Sequence, residues 1–259
     1  MSDKKGIFWV MDPDGSLLRR DLEKENKHFN WEEYSNGNYD ALNYVWYENF
    51  DYYTHEAIGC DYERKGCVIN PGDVVLDIGA NLGVFERRAR FRGAGRVICF
   101  EPITPTYNCL IKNVESTTQS FKMGVAGRSE FREFEIPISF LHVGGGSSSS
   151  LNLNGNRGVA YRETSYCIGI NDLFESGLFE RIDFMKVDCE GGEYEIFETI
   201  EDKHLSSIRC IAIELHASIK EGSDKFQSDF LTRCSNLGFS HFTLYHGDGG
   251  LRTINIWRP

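Results

Sequence analysis

The stretch Val74 to Gly83, Val-Val-Leu-Asp-Ile-Gly-Ala-Asn-Leu-Gly, constrains the fold more than any other part of the chain. An apolar run breaks at an acidic residue and a glycine, and an amphipathic pattern begins at once, which predicts a buried strand, a tight turn and a helix start. Gly79 lets the backbone turn sharply and lets a ligand approach where a Cβ would collide. The helix starting near Asn81 points its free N–H groups into the same space. Asp77 ends the strand at the edge where open α/β sheets bind their ligands. The stretch reads as a nucleoside-binding turn.

The elements around it alternate. Asn70-Pro71-Gly72-Asp73 supplies the turn into the strand, and Leu82, Phe85 and Ala89 mark the helix that leaves it. Arg96 to Phe100 predicts a second buried strand ending in Glu101-Pro102, and Tyr107, Leu110, Ile111 and Val114 a second helix. Further strands are expected over 121–126, 182–188 and 208–215. Residues 130–138 and 159–168 are expected as added strands flanking a Gly/Ser segment at Gly144 to Ser150, which reads equally as a lid or as a disordered loop. Ile196, Phe197 and Ile200 mark one later helix; Phe226, Phe230, Cys234 and Leu237 mark another, stopped by Gly238. Strands at 239–245 and 251–257 form a terminal hairpin. The pattern predicts a doubly wound α/β sheet, mostly parallel with a reversed C-terminal edge strand and helices on both faces.

The 259 residues divide into an expected arm with an aromatic amphipathic helix over 1–60, a cover on the substrate side, and one domain over 61–259 that carries the insertion at about 130–168. Leu42, Trp46, Phe50, Tyr53 and Ala57 set the helix at 41–58, and its aromatic residues read as packing. Residues 1–40 are polar, with a turn at Asp12-Pro13-Asp14-Gly15. A formal net charge of −11 argues against nucleic acid and anionic membrane and for a small or neutral substrate. The N-terminal apolar run is short for a signal sequence, and no stretch reaches the length of a membrane span, so an intracellular, cytoplasmic protein is expected. Eight scattered cysteines without a C-x-x-C pair read as reduced core residues. Arg87, Arg88, Arg90, Arg92 and Arg96 read as a solvated helix face.

The turn departs from the dinucleotide fingerprint, because Asn81 stands where the second glycine would admit a pyrophosphate. A nicotinamide-dependent oxidoreductase is disfavoured for that reason. A ligand with an amino-acid end suits the turn better: Asp77 could face its ammonium group, and the backbone at 79–83 its carboxylate. Glu101 follows the second strand, where an acidic side chain accepts hydrogen bonds from both ribose hydroxyls.

The blocks Asp77-Ile-Gly-Ala-Asn-Leu-Gly and Phe100-Glu101-Pro102 resemble the S-adenosylmethionine-dependent methyltransferase fold. Lys186-Val-Asp188-Cys-Glu190-Gly-Gly-Glu193 matches the Lys-x-Asp-x-Glu-Gly-x-Glu block of the FkbM-type methyltransferase family. Ile170-Asn-Asp-Leu173 and Ile213-Glu-Leu-His216 resemble its later segments. The resemblance spans roughly 70 to 216 and implies a Rossmann-like, seven-stranded methyltransferase sheet. It further implies methyl transfer from S-adenosylmethionine, with S-adenosylhomocysteine as product, to a hydroxyl of a sugar, glycan or natural product.

On this reading Asp77, Gly79, Ala80, Asn81, Gly83, Glu101, Pro102 and Asp188 hold the cofactor. Asp188 and Glu190 face the methyl and the acceptor, His216 is the base candidate and Glu214 its orienter. The lesser alternative for Asp188 and Glu190 is to cap the next helix, and one residue could do both. A divalent metal on Asp188, Glu190 and Glu214 is chemically feasible, but nothing in their spacing demands it and none is expected. The other functional class compatible with the turn is a non-catalytic cofactor-binding or scaffolding subunit. The acceptor's identity and the oligomeric state, with a homodimer one option, are not set by the sequence.

Overall fold

A computed structural model describes residues 7–11, 17–21, 62–64, 66–137, 159–216, 221–246 and 251–259. The expected helix at 41–58 and the Gly144–Ser150 segment lie outside them. Strands β1 (Ile7–Met11) and β2 (Leu17–Asp21) pair antiparallel. The main chain of elements then runs β3 (Val74–Ile78), α1 (Val84–Phe91), β4 (Arg96–Phe100), α2 (Thr104–Asn113), β5 (Gln119–Phe121), β6 (Gly124–Ala126), β7 (Glu130–Pro137), β8 (Val159–Gly169) and α3 (Ile170–Glu175). It continues through β9 (Phe184–Val187), α4 (Glu193–Thr199), α5 (Asp202–Leu205), β10 (Cys210–His216), α6 (Ser223–Asn236), β11 (His241–His246) and β12 (Leu251–Trp257).

Seven strands form the central sheet in the order β11-β12-β10-β9-β3-β4-β5. β10, β9, β3, β4 and β5 run parallel. At the C-terminal edge the hairpin places the reversed strand β12 between β10 and β11, antiparallel to both. The parallel strands are apolar along their length because helices cover both faces. Successive residues of a strand face opposite sides. Val75, Val97, Cys99 and Ala212 therefore pack with Phe85, Ala89 and Leu110 of α1 and α2. Leu76, Ile78, Ile98, Met185 and Ile213 pack with Leu173, Ile196, Phe197, Leu205 and Phe230 of α3 to α6.

The strand expected over 121–126 is divided. β5 ends the central sheet beside β4, whereas β6 opens a second sheet of order β6-β8-β7. Lys122 and Met123 make the break, so one apolar run serves two sheets. The arginines after the turn are tied down rather than simply solvated. Arg88 and Arg92 bond the buried Glu63 at 2.5 and 3.0 Å, Arg90 bonds the buried Glu86 at 3.1 Å, and Arg87 bonds the carbonyl of Asn113. The cysteines 67, 99, 109, 167, 189, 210 and 234 are free, and all but Cys189 are buried.

Candidate active site

Parallel pairing brings the carboxyl ends of β4, β3, β9 and β10 to one edge, and the loops that leave them build the site. The turn after β3 is closed by backbone bonds. The N–H groups of Gly79 and Ala80 both donate to the carbonyl of Phe100 at 3.0 Å, and the N–H of Asp188 donates to Ile78 at 3.1 Å. Gly79 has φ of +76°, and a Cβ there would lie 1.7 Å from the carbonyl oxygen of Asp188. Only glycine combines that backbone with that contact. Asn81 also takes the left-handed region, φ 49°, which asparagine tolerates better than most residues.

Glu101 ties the turn to the end of β4. One carboxylate oxygen accepts the N–H of Asn81 at 3.1 Å and the other the N–H of Ile103 at 2.9 Å. Burial raises its pKa to about 7, against the lowering effect of those two N–H groups. The turn, Glu101, Pro102 and Ile103 border a cleft that opens to solvent. Its far wall is Val125 of β6, Phe134 and Arg132 of β7 and Cys167 of β8, and its end is Asp188, Cys189 and Glu190. Arg132 is held in that wall by Glu195 and by Glu130.

Asp77 does not line the cleft. It is fully buried and lies opposite Lys186 in the register of β3 and β9, with Lys186 Nζ 3.3 Å from its Oδ1. Burial raises its carboxyl above the usual range, and Lys186 offsets part of the rise. Lys186 Nζ also donates to the carbonyl of Gly79 at 2.6 Å and lies 3.5 Å from Asp188. Asp77 thus acts on the turn through Lys186 and is turned away from the ammonium role expected of it. Ala80 is buried, and Gly83 precedes α1 against Leu110 and Val114. Of the residues expected at the cofactor, Gly79, Asn81, Glu101, Pro102 and Asp188 line the cleft.

The strand ends on the other side bring Asp188, Glu190, Glu214 and His216 together. Glu190 has φ of 52° and reaches His216 Nε2 at 3.2 Å, while Glu214 lies 3.8 Å from the same nitrogen. Nδ1 is bonded at 2.8 Å by Glu193, a fully buried residue that also accepts the backbone N–H groups of Gly191 and His216. Glu193, and not Glu214, therefore orients the ring. Burial opposes a charge on His216, but the bonds from Glu190 and Glu193 outweigh it and push the imidazole up to about 12. A ring that holds both protons is a poor general base.

Sequence reasoning missed Tyr62, whose hydroxyl lies 2.8 Å from both Asp188 Oδ2 and Glu214 Oε2. It also missed the far wall of the cleft. Glu193 stood in the quoted block, where its spacing to Glu190 was a usable signal. Tyr62 carried none, being 126 positions from Asp188.

A family model described as Methyltransferase FkbM domain matches residues 77–240, more than half of the chain. The chain belongs to this family. Its relatives include the AMB antimetabolite synthetase AmbE of Pseudomonas aeruginosa, 26% identical over 70% of this chain and 10% of AmbE. The 31-O-demethyl-FK506 methyltransferase FkbM of Streptomyces tacrolimicus is 25% identical, over 60% of this chain and 70% of its own length. The hexuronic acid methyltransferase AglP of Haloferax volcanii is 26% identical, over 57% of each protein. The crystal structure of methyltransferase FkbM from Methylobacillus flagellatus superposes with a TM-score of 0.50 at 15% identity, over 84% of this chain and 54% of that one, and supports the Rossmann-like methyltransferase fold. The FkbM domain here thus spans a tenth of AmbE and about half of that crystallised chain. No helix among the described residues is long and apolar enough to cross a membrane.

Proposed function

We propose that this FkbM-family domain is an S-adenosylmethionine-dependent O-methyltransferase acting on a hydroxyl of a sugar, glycan or natural product. The observation that carries the reading is one cleft lined by Gly79, Asn81 and Glu101 together with Asp188 and Glu190. The residues fit the cofactor: a cleft open to solvent, a buried carboxylate for a ribose diol and a turn without side chain at Gly79. Ile103, Val125 and Phe134 offer apolar walls to a purine. When bound, the cofactor supplies a sulfonium methyl group, whose sulfur keeps the C–S bond pair as the methyl leaves. Asp188 and Glu190 face the acceptor, and the carboxylate of Glu190 takes the hydroxyl proton as the new C–O bond forms. His216, engaged on both ring nitrogens, holds Glu190 in place. Positioning of this kind supplies much of the rate of an in-line displacement, and a base adds roughly 10²–10⁴-fold. The names of two relatives, a 31-O-demethyl-FK506 methyltransferase and a hexuronic acid methyltransferase, favour an oxygen acceptor.

Calorimetry with S-adenosylhomocysteine, followed by transfer of labelled methyl to a panel of glycans and hydroxylated natural products, tests the reading. Binding together with turnover that Glu190→Ala abolishes is the expected result. No binding at millimolar ligand would refute it.

A further inference from the structure

Beyond the cleft, the ends of β9 and β10 bring one ligand-type atom each from Asp188, Glu214 and His216 within 4.8 Å of one another. We propose that these three residues bind a divalent cation of the manganese type beside the acceptor end of the cleft. The use made of the ion in catalysis rests on the function proposed above; its binding does not.

The spacing suits an ion. Metal–ligand bonds of about 2.0 to 2.6 Å set two ligands of one cation up to roughly 4–5 Å apart. Glu214 and His216 are alternate residues of β10, so they face one side of a strand that is paired with β9 on one flank and β12 on the other.

His216 is held as a metal-binding histidine is held. The fully buried Glu193 bonds Nδ1 at 2.8 Å and is itself fixed by the backbone N–H groups of Gly191 and His216. A carboxylate on one ring nitrogen sets the tautomer and the orientation that present the other nitrogen to a metal. That other nitrogen, Nε2, is the one that faces Glu190 and Glu214.

Tyr62 has a single hydroxyl proton and lies 2.8 Å from an oxygen of both Asp188 and Glu214, so it can donate to only one of them at a time. A divalent cation would take the place of a proton on Nε2. One imidazole with two carboxylates favours Mn²⁺ over Mg²⁺ or Ca²⁺, which prefer oxygen alone.

Three protein ligands leave coordination positions open to the acceptor. An acceptor with two neighbouring oxygens, a vicinal diol or a hydroxyl beside a carboxylate, fills two of them. Its hydroxyl then loses its proton more readily.

The test is a calorimetric titration of the full chain with Mn²⁺ and no cofactor, paired with thermal unfolding scans. One ion per chain is expected, together with a rise in the wild-type unfolding midpoint. Glu214→Gln and His216→Gln should weaken binding at least about tenfold while still unfolding cooperatively, and Glu193→Gln should weaken it about tenfold through the ring it holds. Wild-type protein that binds no Mn²⁺ below about 1 mM, weaker than ordinary cation sites, overturns the proposal. So does a Glu214→Gln variant that binds like wild type. Mn²⁺ binding without methyl transfer to any acceptor would leave the cation site standing and count against the proposed function instead.

Discussion

Glu101 gives the sharpest test of the proposal that the cleft holds the nucleoside part of S-adenosylmethionine. The residue is 6% exposed, and its pKa is raised from 4.5 to about 7, chiefly by burial. The folded state then keeps a proton between about pH 4.5 and 7 that the unfolded chain has released. Stability contributed by this group therefore falls as pH rises through that window, by about 3 kcal/mol in all. A ribose diol donates to the ionised form, so ligand binding should run the opposite way. At about pH 6 roughly a tenth of the carboxyls are ionised and at about pH 8 roughly nine tenths, which predicts about tenfold tighter binding at the higher pH. Adenosine and S-adenosylhomocysteine, titrated calorimetrically at both pH values, provide the measurement, and adenosine has no amino-acid end to titrate. Glu101→Gln removes the charge and should lose two charge-assisted hydrogen bonds, on the order of 10²-fold in affinity, along with the pH dependence. Asp77 and Lys186 are the charged groups that also act on Glu101, and both remain in that variant. Wild-type adenosine affinity that is equal at the two pH values, or unchanged in Glu101→Gln, would refute the assignment.

Two further perturbations probe the scaffold. Lys186→Met leaves Asp77 as a fully buried carboxylate without its partner and should lower stability by about 3–5 kcal/mol in chemical denaturation; the double variant with Asp77→Asn should recover much of that loss, and independent, additive effects would contradict the pairing. Glu190→Gly relieves a left-handed φ of 52° and should stabilise the fold by about 1 kcal/mol while abolishing methyl transfer, so a variant that is both less stable and fully active would count against the strained-loop reading.

The strands and helices of the central sheet were legible because each is a local pattern. The apolar run Val74 to Ile78, the break at Gly79 and the face of Phe85 and Ala89 need no knowledge of the partner. What stayed hidden depends on partners far away in the chain. Nothing local told the run 121–126 that Phe121 would pair with β4 while Val125 paired with β8. Arg88 and Arg92 read as solvated because Glu63, the partner of both, lies more than twenty positions before them. Asp77 and Lys186 were each visible as charged residues in apolar strands, but only the register of β3 and β9 sets one against the other. The expectation that Glu214 orients His216 could not reveal that Glu193, the first residue of α4, would take Nδ1.

The backbone marks the same place independently of any side-chain chemistry. Asn81 and Glu190 are the non-glycine residues with positive φ among the described residues, and both line the cleft. Each stores on the order of 1–3 kcal/mol, which persists only where the surroundings fix the conformation. For Asn81 that fixing is the bond from its N–H to Glu101, and for Glu190 it is the contact with His216. Glu190 adopts this conformation although the next two positions are glycines that could take the turn without strain. A chain selected for stability alone would place a glycine there; a carboxylate at that position over the cleft accords with the acceptor-side role proposed for Glu190.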